Sequence, residues 1–253
     1  MRVFITGASS GLGAALARAY AARGAMIALV ARRKTALTEL AATLPAQSFI
    51  YPLDVADAAA LQHVADDFVA RAGVPDVVIA NAGVSVGTLT EEQDDIKAFE
   101  RVFAINVLGM VNTFAPFAAA MRTRGSGRLV GIASVAGVRG LPGAGAYSAS
   151  KAAVFAYLES LRVEMHNSGV KVVTIAPGYI KTPMTAVNDY AMPFLLDADV
   201  AAERMLRVIE RGARTTVVPW QMGVVAAVMR RLPDALYDRL ASRAGRKPRN
   251  LPL

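Results

Sequence analysis

The sequence has no cysteine and only two histidines, His63 and His166, among its 253 residues. The absence of cysteine excludes disulfide scaffolds, cysteine-ligated zinc and thiol nucleophiles. Two histidines are too few for a histidine-rich metal site, so we predict that the protein holds no metal. Charged residues make up 19% of the chain and apolar residues 54%, a balance that argues against intrinsic disorder.

The N-terminus lacks the long apolar run that a signal peptide needs. After Arg2 the run covers only Val3 to Ile5 and ends at a Thr-Gly turn. We therefore expect a cytoplasmic location. The longest charge-free stretch, Val102 to Met121, has the twenty residues of a bilayer span. The asparagines and the proline within it favour a buried helix instead.

The net charge of +8 is concentrated near the C-terminal end of the sequence. Residues 230–253 contain seven basic and two acidic residues, whereas the preceding chain is nearly neutral. Such a basic segment can contact nucleic acid, anionic lipid or nothing. We expect no nucleic acid, because the basic residues do not interleave with exposed aromatic ones.

Short, uninterrupted apolar runs alternate with longer helical patterns. Such runs are typical of strands covered by helices on both faces. The order predicts an α/β fold, with a doubly wound, Rossmann-type, mostly parallel sheet of seven strands. We assign residues 1–220 to one dinucleotide-binding and catalytic domain, and residues 221–253 to a basic, amphipathic, helical extension. The predicted strands are Val3–Ile5, Ile27–Val30, Ser48–Pro52, Asp76–Ala80, Arg128–Ala133, Lys171–Ala176 and Thr215–Val218.

A glycine-rich turn joins the first predicted strand to the first predicted helix. Its glycines allow a tight turn close to a pyrophosphate, and the helix N-terminus offers free N–H donors. The spacing is Gly-x3-Gly-x-Gly rather than the common Gly-x-Gly-x-x-Gly, and a tight turn without a ligand is the alternative. The candidate cofactor-binding residues here are Gly7, Ser9, Ser10, Gly11, Leu12 and Gly13.

The second predicted strand ends in Arg32-Arg33-Lys34, where an acidic residue would select NAD. A ribose 2′-phosphate needs a cationic partner, and arginine provides a bidentate one. Arg32 and Arg33 therefore favour NADP over NAD. The alternative is a solvated charge run at the start of a helix, which the helix dipole disfavours unless an anion joins it.

Tyr147 and Lys151 are four residues apart, which places them on one face of a helix. Several further polar or turn-forming residues follow predicted strands, whose carboxyl ends open on one edge of a doubly wound sheet. The strand-end residues are Asp54-Val55, Asn81-Ala82-Gly83, Ser134 and Pro177-Gly178 with Thr182, and Asn106 lies in the charge-free helix. An ordinary structural explanation exists for each of Asn106, Ser134, Tyr147 and Lys151 alone, but four such coincidences are improbable.

Taken in order, these motifs resemble the short-chain dehydrogenase/reductase family over roughly residues 1–215. The resemblance implies hydride transfer between a nicotinamide and a carbonyl or alcohol carbon. It implies that Tyr147 is the general acid or base and that Lys151 favours its phenolate and binds the nicotinamide ribose. It also implies that Ser134 donates to the substrate oxygen and that Asn106 holds a water linking Lys151 to solvent.

The resemblance also assigns the remaining cofactor contacts. Asp54 and Val55 would meet the adenine, and Asn81, Ala82 and Gly83 the adenosine side. Tyr147 and Lys151 count among these contacts as well. The segment along the nicotinamide would contribute Pro177, Gly178, Ile180 and Thr182.

The sequence departs from the family pattern at two places. Ala80 replaces the first asparagine of the usual Asn-Asn-Ala-Gly, and residues 215–222 replace the tail through which many ketoacyl-carrier reductases form tetramers. We expect a homodimer through the two long apolar helices, with a tetramer as the alternative.

By family analogy, residues 84–90, 135–145 and 183–196 line the substrate pocket. The last segment is rich in flexible and aromatic apolar residues, which suits a lipophilic carbonyl or alcohol, although simple packing onto the body is equally compatible. In the extension, Pro233 separates two short helices with an apolar stripe edged by arginines. That stripe can lie on the anionic inner face of a membrane, cover the substrate cleft or contact another subunit.

The sequence thus predicts an NADP-dependent short-chain reductase acting on a small-molecule carbonyl or secondary alcohol. NAD-linked alcohol oxidation is one alternative. A catalytically silent protein that senses nucleotide or docks on a membrane is another, although such proteins usually lose the tyrosine or the lysine.

Overall fold

The computed structural model describes residues 1–251. Seven parallel strands form one sheet in the order β3-β2-β1-β4-β5-β6-β9. The predicted doubly wound α/β architecture is confirmed. The strands of this sheet are β1 (Arg2–Thr6), β2 (Met26–Ala31), β3 (Ser48–Pro52), β4 (Val77–Ala80), β5 (Gly127–Ile132), β6 (Val170–Pro177) and β9 (Thr215–Val218). Two short strands, β7 (Ile180–Lys181) and β8 (Leu196–Asp197), pair separately.

Helices cover both faces of the sheet. One face is packed by the first, second and eighth helices, and the other by the third, fifth and sixth. The helices are α1 (Gly11–Ala21), α2 (Lys34–Thr43), α3 (Ala58–Ala72), α4 (Asp95–Phe103), α5 (Gly109–Arg124), α6 (Gly145–Glu164), α7 (Pro183–Ala186), α8 (Ala198–Arg211), α9 (Trp220–Arg231) and α10 (Asp234–Ala241).

Alternate residues of each central strand enter opposite halves of the core. In β1, Val3 and Ile5 pack under one helical layer, whereas Phe4 packs under the other. The Phe4 ring lies with its centroid 4.8 Å from that of Phe117 and 5.8 Å from that of Phe68. Because both faces are buried, the central positions Val3 to Ile5 are all apolar, which explains the uninterrupted runs in the sequence.

The charge-free stretch forms part of a helix over residues 95–124 that contains a π-helical turn, Ala104–Leu108. Among residues 1–251, only this helix is long and apolar enough to cross a membrane. Its side chains Met110, Phe114 and Met121 are buried in the core beside the sheet. The helix is therefore buried on one side, whereas Leu108 is exposed on it, and burial on most sides stays a prediction.

The C-terminal extension forms two helices separated at Pro233, as predicted. Met222 and Ala226 of α9 pack against Val135. The Arg139 guanidinium donates to the carbonyl of Leu232 at 3.0 Å and lies 4.0 Å from the centre of the Tyr237 ring. These contacts attach both helices to the body of the fold. The division of the chain at residue 220 stays a prediction.

Candidate active site

A cleft of about 680 Å³ opens at the carboxyl edge of the sheet. It lies where the chain, after forming β2 and β3 on one side of β1, continues with β4 on the other side. Ligands bind at such switch points in doubly wound folds. The cleft is lined by every residue predicted to bind cofactor and by Ser134, Tyr147 and Lys151 of the predicted catalytic set.

The glycine-rich turn places its backbone against two neighbouring segments. Gly7 has a φ of +69°, and a Cβ on it would lie 2.7 Å from the Cα of Ala82. A Cβ on Gly13 would lie 2.2 Å from the Gly7 carbonyl oxygen. The Ser10 side chain makes no capping hydrogen bond to α1, which begins in the cleft. The helix N-terminus therefore offers its N–H donors to an anion, as a pyrophosphate site requires.

Asn81 holds the two loops of this half of the cleft together. Its side-chain amide donates to the Thr6 carbonyl at 3.0 Å and to the Gly7 carbonyl at 3.3 Å. The Thr6 hydroxyl in turn accepts from the backbone N–H of Asn81 at 3.2 Å. Sequence reasoning assigned Asn81 to the adenosine and did not predict this cross-link.

Arg32 and Arg33 follow β2 and lie exposed in the wall of the cleft. The Arg33 guanidinium donates to the Ser9 hydroxyl at 3.2 Å. The structure therefore brings a cation to the glycine-rich turn, and arginine is a bidentate partner for phosphate groups. The residues present thus fit a phosphorylated dinucleotide.

The Asp54 carboxylate has two partners of its own. It accepts from the backbone N–H of Ala56 at 3.0 Å and forms an ion pair with Arg101 of α4. Burial raises the pKa of this carboxyl. A larger combined effect in the other direction comes from the hydrogen bonds with Ala56 and Arg101 and from the charges of Arg101 and Arg32, so the pKa of Asp54 is lowered overall. Sequence reasoning missed Arg101, since an ion pair between residues so distant in the chain leaves no local pattern.

Lys151 is buried on α6 and faces Tyr147. Its ammonium donates to the Ile132 carbonyl at 2.8 Å and lies 5.8 Å from the centre of the Tyr147 ring. Burial lowers the pKa of Lys151 to about 8. The helix therefore sets a cation beside the phenol, as the four-residue spacing predicted.

Tyr147 is half-buried in the same wall, next to Ser134. Burial raises the pKa of the Tyr147 phenol, and hydrogen bonding with the Ser134 hydroxyl opposes this with a smaller effect. The Ser134 hydroxyl accepts from the backbone N–H of Ala136 at 3.2 Å, which fixes its position at the end of β5. Two hydroxyl groups are thus positioned together in the cleft.

Asn106 lies behind this wall, fully buried in the π-helical turn. Its amide donates to the Val84 carbonyl and to the Ser150 hydroxyl, each at 3.0 Å, and its oxygen accepts from the Val84 N–H at 2.8 Å. A Cβ on Gly83 would lie 3.3 Å from the Asn106 oxygen and 3.6 Å from the Lys151 ammonium. Asn106 therefore adjoins Lys151 and fixes the loop that carries Gly83.

The segment after β6 forms the opposite wall. Gly178 donates its N–H to the Val218 carbonyl at 2.9 Å, and a Cβ on it would lie 2.5 Å from the Met222 side chain. Thr182 begins α7 and shares a capping box with Thr185. A Cβ on Gly11 would lie 3.0 Å from the Thr182 methyl group. The segment that contains Thr182 therefore packs directly against the glycine-rich turn.

Several apolar side chains line the cleft beside the predicted cofactor-binding residues. Val84, Met184 and Val187 come from segments that the family analogy indicated. Leu251 also lines it and was not predicted, because it lies beyond the part of the chain that the resemblance covers.

The model of the short chain dehydrogenase family matches residues 1–191. An uncharacterized oxidoreductase of Myxococcus xanthus is 39% identical over 242 residues, covering 94% of this chain and 95% of that protein. A short-chain dehydrogenase of Sphingobium yanoikuyae in complex with NADPH superposes with a TM-score of 0.78 at 27% identity, covering 92% of this chain and 97% of that one. A 3-oxoacyl-[acyl-carrier protein] reductase of Brucella melitensis with bound NAD superposes with a TM-score of 0.76 at 26% identity, covering 86% and 88%.

Proposed function

The chain belongs to the short-chain dehydrogenase family and is an oxidoreductase of that family, and we propose that it transfers a hydride between NADP(H) and a carbonyl or secondary alcohol of a lipophilic small molecule. The observation that carries this proposal is the buried Lys151 ammonium 5.8 Å from the centre of the Tyr147 ring. An ammonium beside a phenol, in a cleft that also contains a helix N-terminus and two arginines, suits proton transfer next to a bound dinucleotide.

The proposed cofactor supplies or accepts the hydride. The α1 N-terminus and the glycine-rich turn would hold its pyrophosphate, and Arg32 and Arg33 its 2′-phosphate. The Arg33–Ser9 contact supports NADP, because it holds a guanidinium beside the glycine-rich turn, and a 2′-phosphate takes a bidentate cationic partner.

Tyr147 would move the proton at its phenolic oxygen. An ordinary tyrosine has a pKa of about 10, and burial raises the pKa of this one. A positive charge on Lys151 favours the phenolate and so makes the proton transferable. We propose Tyr147 as general acid in reduction and as general base in oxidation.

Ser134 would donate a hydrogen bond to the substrate oxygen, in the manner of an oxyanion-hole donor. The Ala136 N–H orients its hydroxyl. Asn106 would maintain the loop and the environment of Lys151, consistent with its fully satisfied amide group. The water that the family resemblance assigns to Asn106 belongs to this proposal as well.

The apolar lining by Val84, Met184, Val187 and Leu251 supports a lipophilic substrate. The experiment is NADPH oxidation with a series of aliphatic methyl ketones, comparing the wild-type protein with Tyr147→Phe. Oxidation by the wild type that the variant abolishes is expected. NADH used as well as NADPH would favour the NAD-linked alternative, and nucleotide binding without turnover would favour a silent nucleotide sensor.

We propose a cytoplasmic homodimer. Exposed apolar side chains on the long helices support it: Ile96, Phe99, Leu108 and Val163. Such side chains are commonly covered by a second subunit. Light scattering of the purified protein would give the mass of the assembly, and a tetrameric mass would replace the dimer.

We also propose peripheral contact with an anionic membrane through α9. Trp220, Val224 and Val228 recur every four residues with 70%, 55% and 54% of their surface exposed. Arg230 and Arg231 end the same helix. An exposed apolar stripe beside cationic residues suits an anionic lipid surface.

A further inference from the structure

Residues 242–251, here called the C-terminal strap, return from α10 to the cleft. The strap contacts two segments that are far apart in the chain. One is the loop between β7 and β8, which includes Met184 and Tyr190, and the other is residues 86–95. The strap therefore links these two segments.

At the first segment, Lys247 joins the strap to the loop between β7 and β8. Its ammonium donates to the Met184 carbonyl at 2.7 Å and to the Asn188 side-chain oxygen at 3.3 Å. Gly245 passes directly over Tyr190, where a Cβ on the glycine would lie 2.3 Å from the tyrosine Cβ. Met184 itself lines the cleft, so the strap is attached to a wall of the pocket.

At the second segment, Arg249 is the anchor. Its guanidinium forms ion pairs with Asp95 at 2.9 Å and with Glu92 at 3.0 Å. Asp95 is buried, and its carboxylate also accepts from the backbone N–H of Leu89 at 2.8 Å. The Leu89 hydrogen bond therefore fixes the carboxylate independently of the strap. Because Asp95 is buried, solvent ions screen its attraction to Arg249 less than they would screen an exposed pair.

The strap passes so close to Gly87 that a side chain at this position would collide with it. Gly87 donates its N–H to the Pro248 carbonyl at 2.9 Å, and a Cβ on Gly87 would lie 2.2 Å from the Lys247 carbonyl oxygen. This is contact of backbone on backbone. A larger residue at position 87 would displace the strap from this surface. It would not alter a cleft-lining side chain, because Gly87 does not line the cleft.

Leu251 is the strap residue that lines the cleft. It packs on the small apolar cluster of Val86, Val102 and Ala146 and lines the same cleft as Tyr147. An apolar wall opposite a polar reacting group limits the size of the apolar part of a ligand.

We propose that the strap is a specificity element that sets how long an apolar substituent the substrate carries. Held by Lys247 and Arg249, it keeps Leu251 as a wall of the substrate pocket, and ketones with short chains are favoured. Detaching it removes the wall and admits longer chains. This inference rests on the proposed function, since it assigns the substrate class of the same site.

The experiment compares the wild-type protein with Gly87→Val, Arg249→Ala and Leu251→Ala. Arg243→Ala is the matched control, because Arg243 is an exposed strap arginine that makes no ion pair within residues 1–251. Each form is assayed for NADPH binding and for kcat/KM with 2-butanone, 2-octanone and 2-decanone. Hydrogen exchange of residues 247–251 measures docking of the strap independently of turnover.

We expect slow exchange of the strap in the wild type and the control, and faster exchange in Gly87→Val and Arg249→Ala. The kcat/KM ratio of 2-decanone to 2-butanone should rise at least fivefold in all three test variants, with unchanged NADPH affinity. An unchanged ratio, or fast exchange in the wild type, would overturn the inference alone. Failure of the wild type to bind NADPH or to reduce any of the ketones would overturn the proposed function and the inference with it.

Discussion

The ammonium of Lys151 lies 5.8 Å from the centre of the Tyr147 ring, one helical turn away on α6. Burial shifts the two groups in opposite directions, since it raises the pKa of the phenol and lowers that of the lysine to about 8. The two pKa values, about 10 and 10.4 in ordinary side chains, therefore move apart in the folded protein. The closeness of the ammonium to the phenol underlies the proton transfer that we propose.

Replacing Tyr147 by phenylalanine should remove turnover and keep the fold, because only the phenolic oxygen is lost. We expect kcat to fall by at least about 100-fold, the usual contribution of a positioned acid or base, while the variant still binds NADPH. Tyr157→Phe on the same helix is the control, since Tyr157 does not line the cleft. Equal activity of the two variants would exclude Tyr147 as the proton donor.

Burial of Lys151 should make stability depend on pH. Its folded pKa of about 8 is lower than the ordinary lysine value of about 10.4. The unfolded chain therefore binds more protons between these values, and the free energy of unfolding rises with pH there. Compared with Lys151→Met, the wild type should gain about 2 kcal/mol between pH 7.5 and 10. Urea denaturation of both forms at the two pH values measures this; a constant difference would argue against a buried lysine of low pKa.

Removing the Arg33 guanidinium should lower the selectivity for NADPH. Its loss should raise the Kd of NADPH about tenfold, near 1.4 kcal/mol, and leave that of NADH unchanged. Fluorescence titration of Arg33→Ser measures both. Lys34→Ser is the control, because this neighbouring cation does not line the cleft. A parallel loss in both variants would indicate a general effect of charge.

An alanine at position 13 should disrupt the glycine-rich turn. Its Cβ would lie 2.2 Å from the Gly7 carbonyl oxygen, which forces the turn and α1 apart. Overpacking of this kind costs roughly 1–3 kcal/mol of unfolding free energy, and NADPH binding should weaken with it. Gly140→Ala is the control, since a Cβ there meets no atom within 4 Å. Equal stability of the two variants in urea would contradict the close approach.

The single tryptophan of the chain, Trp220, reports on membrane contact. Its emission should shift to shorter wavelength with vesicles of phosphatidylcholine and phosphatidylglycerol but not with phosphatidylcholine alone. Val224→Asp should abolish the shift. Val200→Asp, which alters an exposed valine on α8, should retain it. No shift with either vesicle would rule out docking through α9.

The strand-end residues were predictable from the sequence because parallel strands bring their carboxyl ends to one edge of the sheet. Ser134 and Asn81 thus lie in one cleft although they are far apart in the chain. The π-helical turn around Asn106 was not predictable, since a five-residue turn inside an apolar helix leaves the hydrophobic pattern nearly unchanged.

Two parts of the site depend on long-range pairs. Arg101 of α4 pairs with Asp54, which lies 47 residues earlier in the chain. Leu251 lines the cleft at the end of a strap that long-range contacts hold, among them the pair of Arg249 with Asp95, 154 residues away in the chain. Neither pair belongs to a local pattern or to the motifs that carry the family resemblance.

The most direct measurement is a fluorescence titration of the wild-type protein with NADPH and NADH, side by side at fixed salt concentration. We predict that NADPH binds at least tenfold more tightly, about 1.4 kcal/mol in binding free energy, because Arg32 and Arg33 are exposed cations in the cleft wall and a 2′-phosphate takes a cationic partner. Equal or tighter binding of NADH would contradict the assignment of NADP. Binding of neither nucleotide would contradict the proposed function itself.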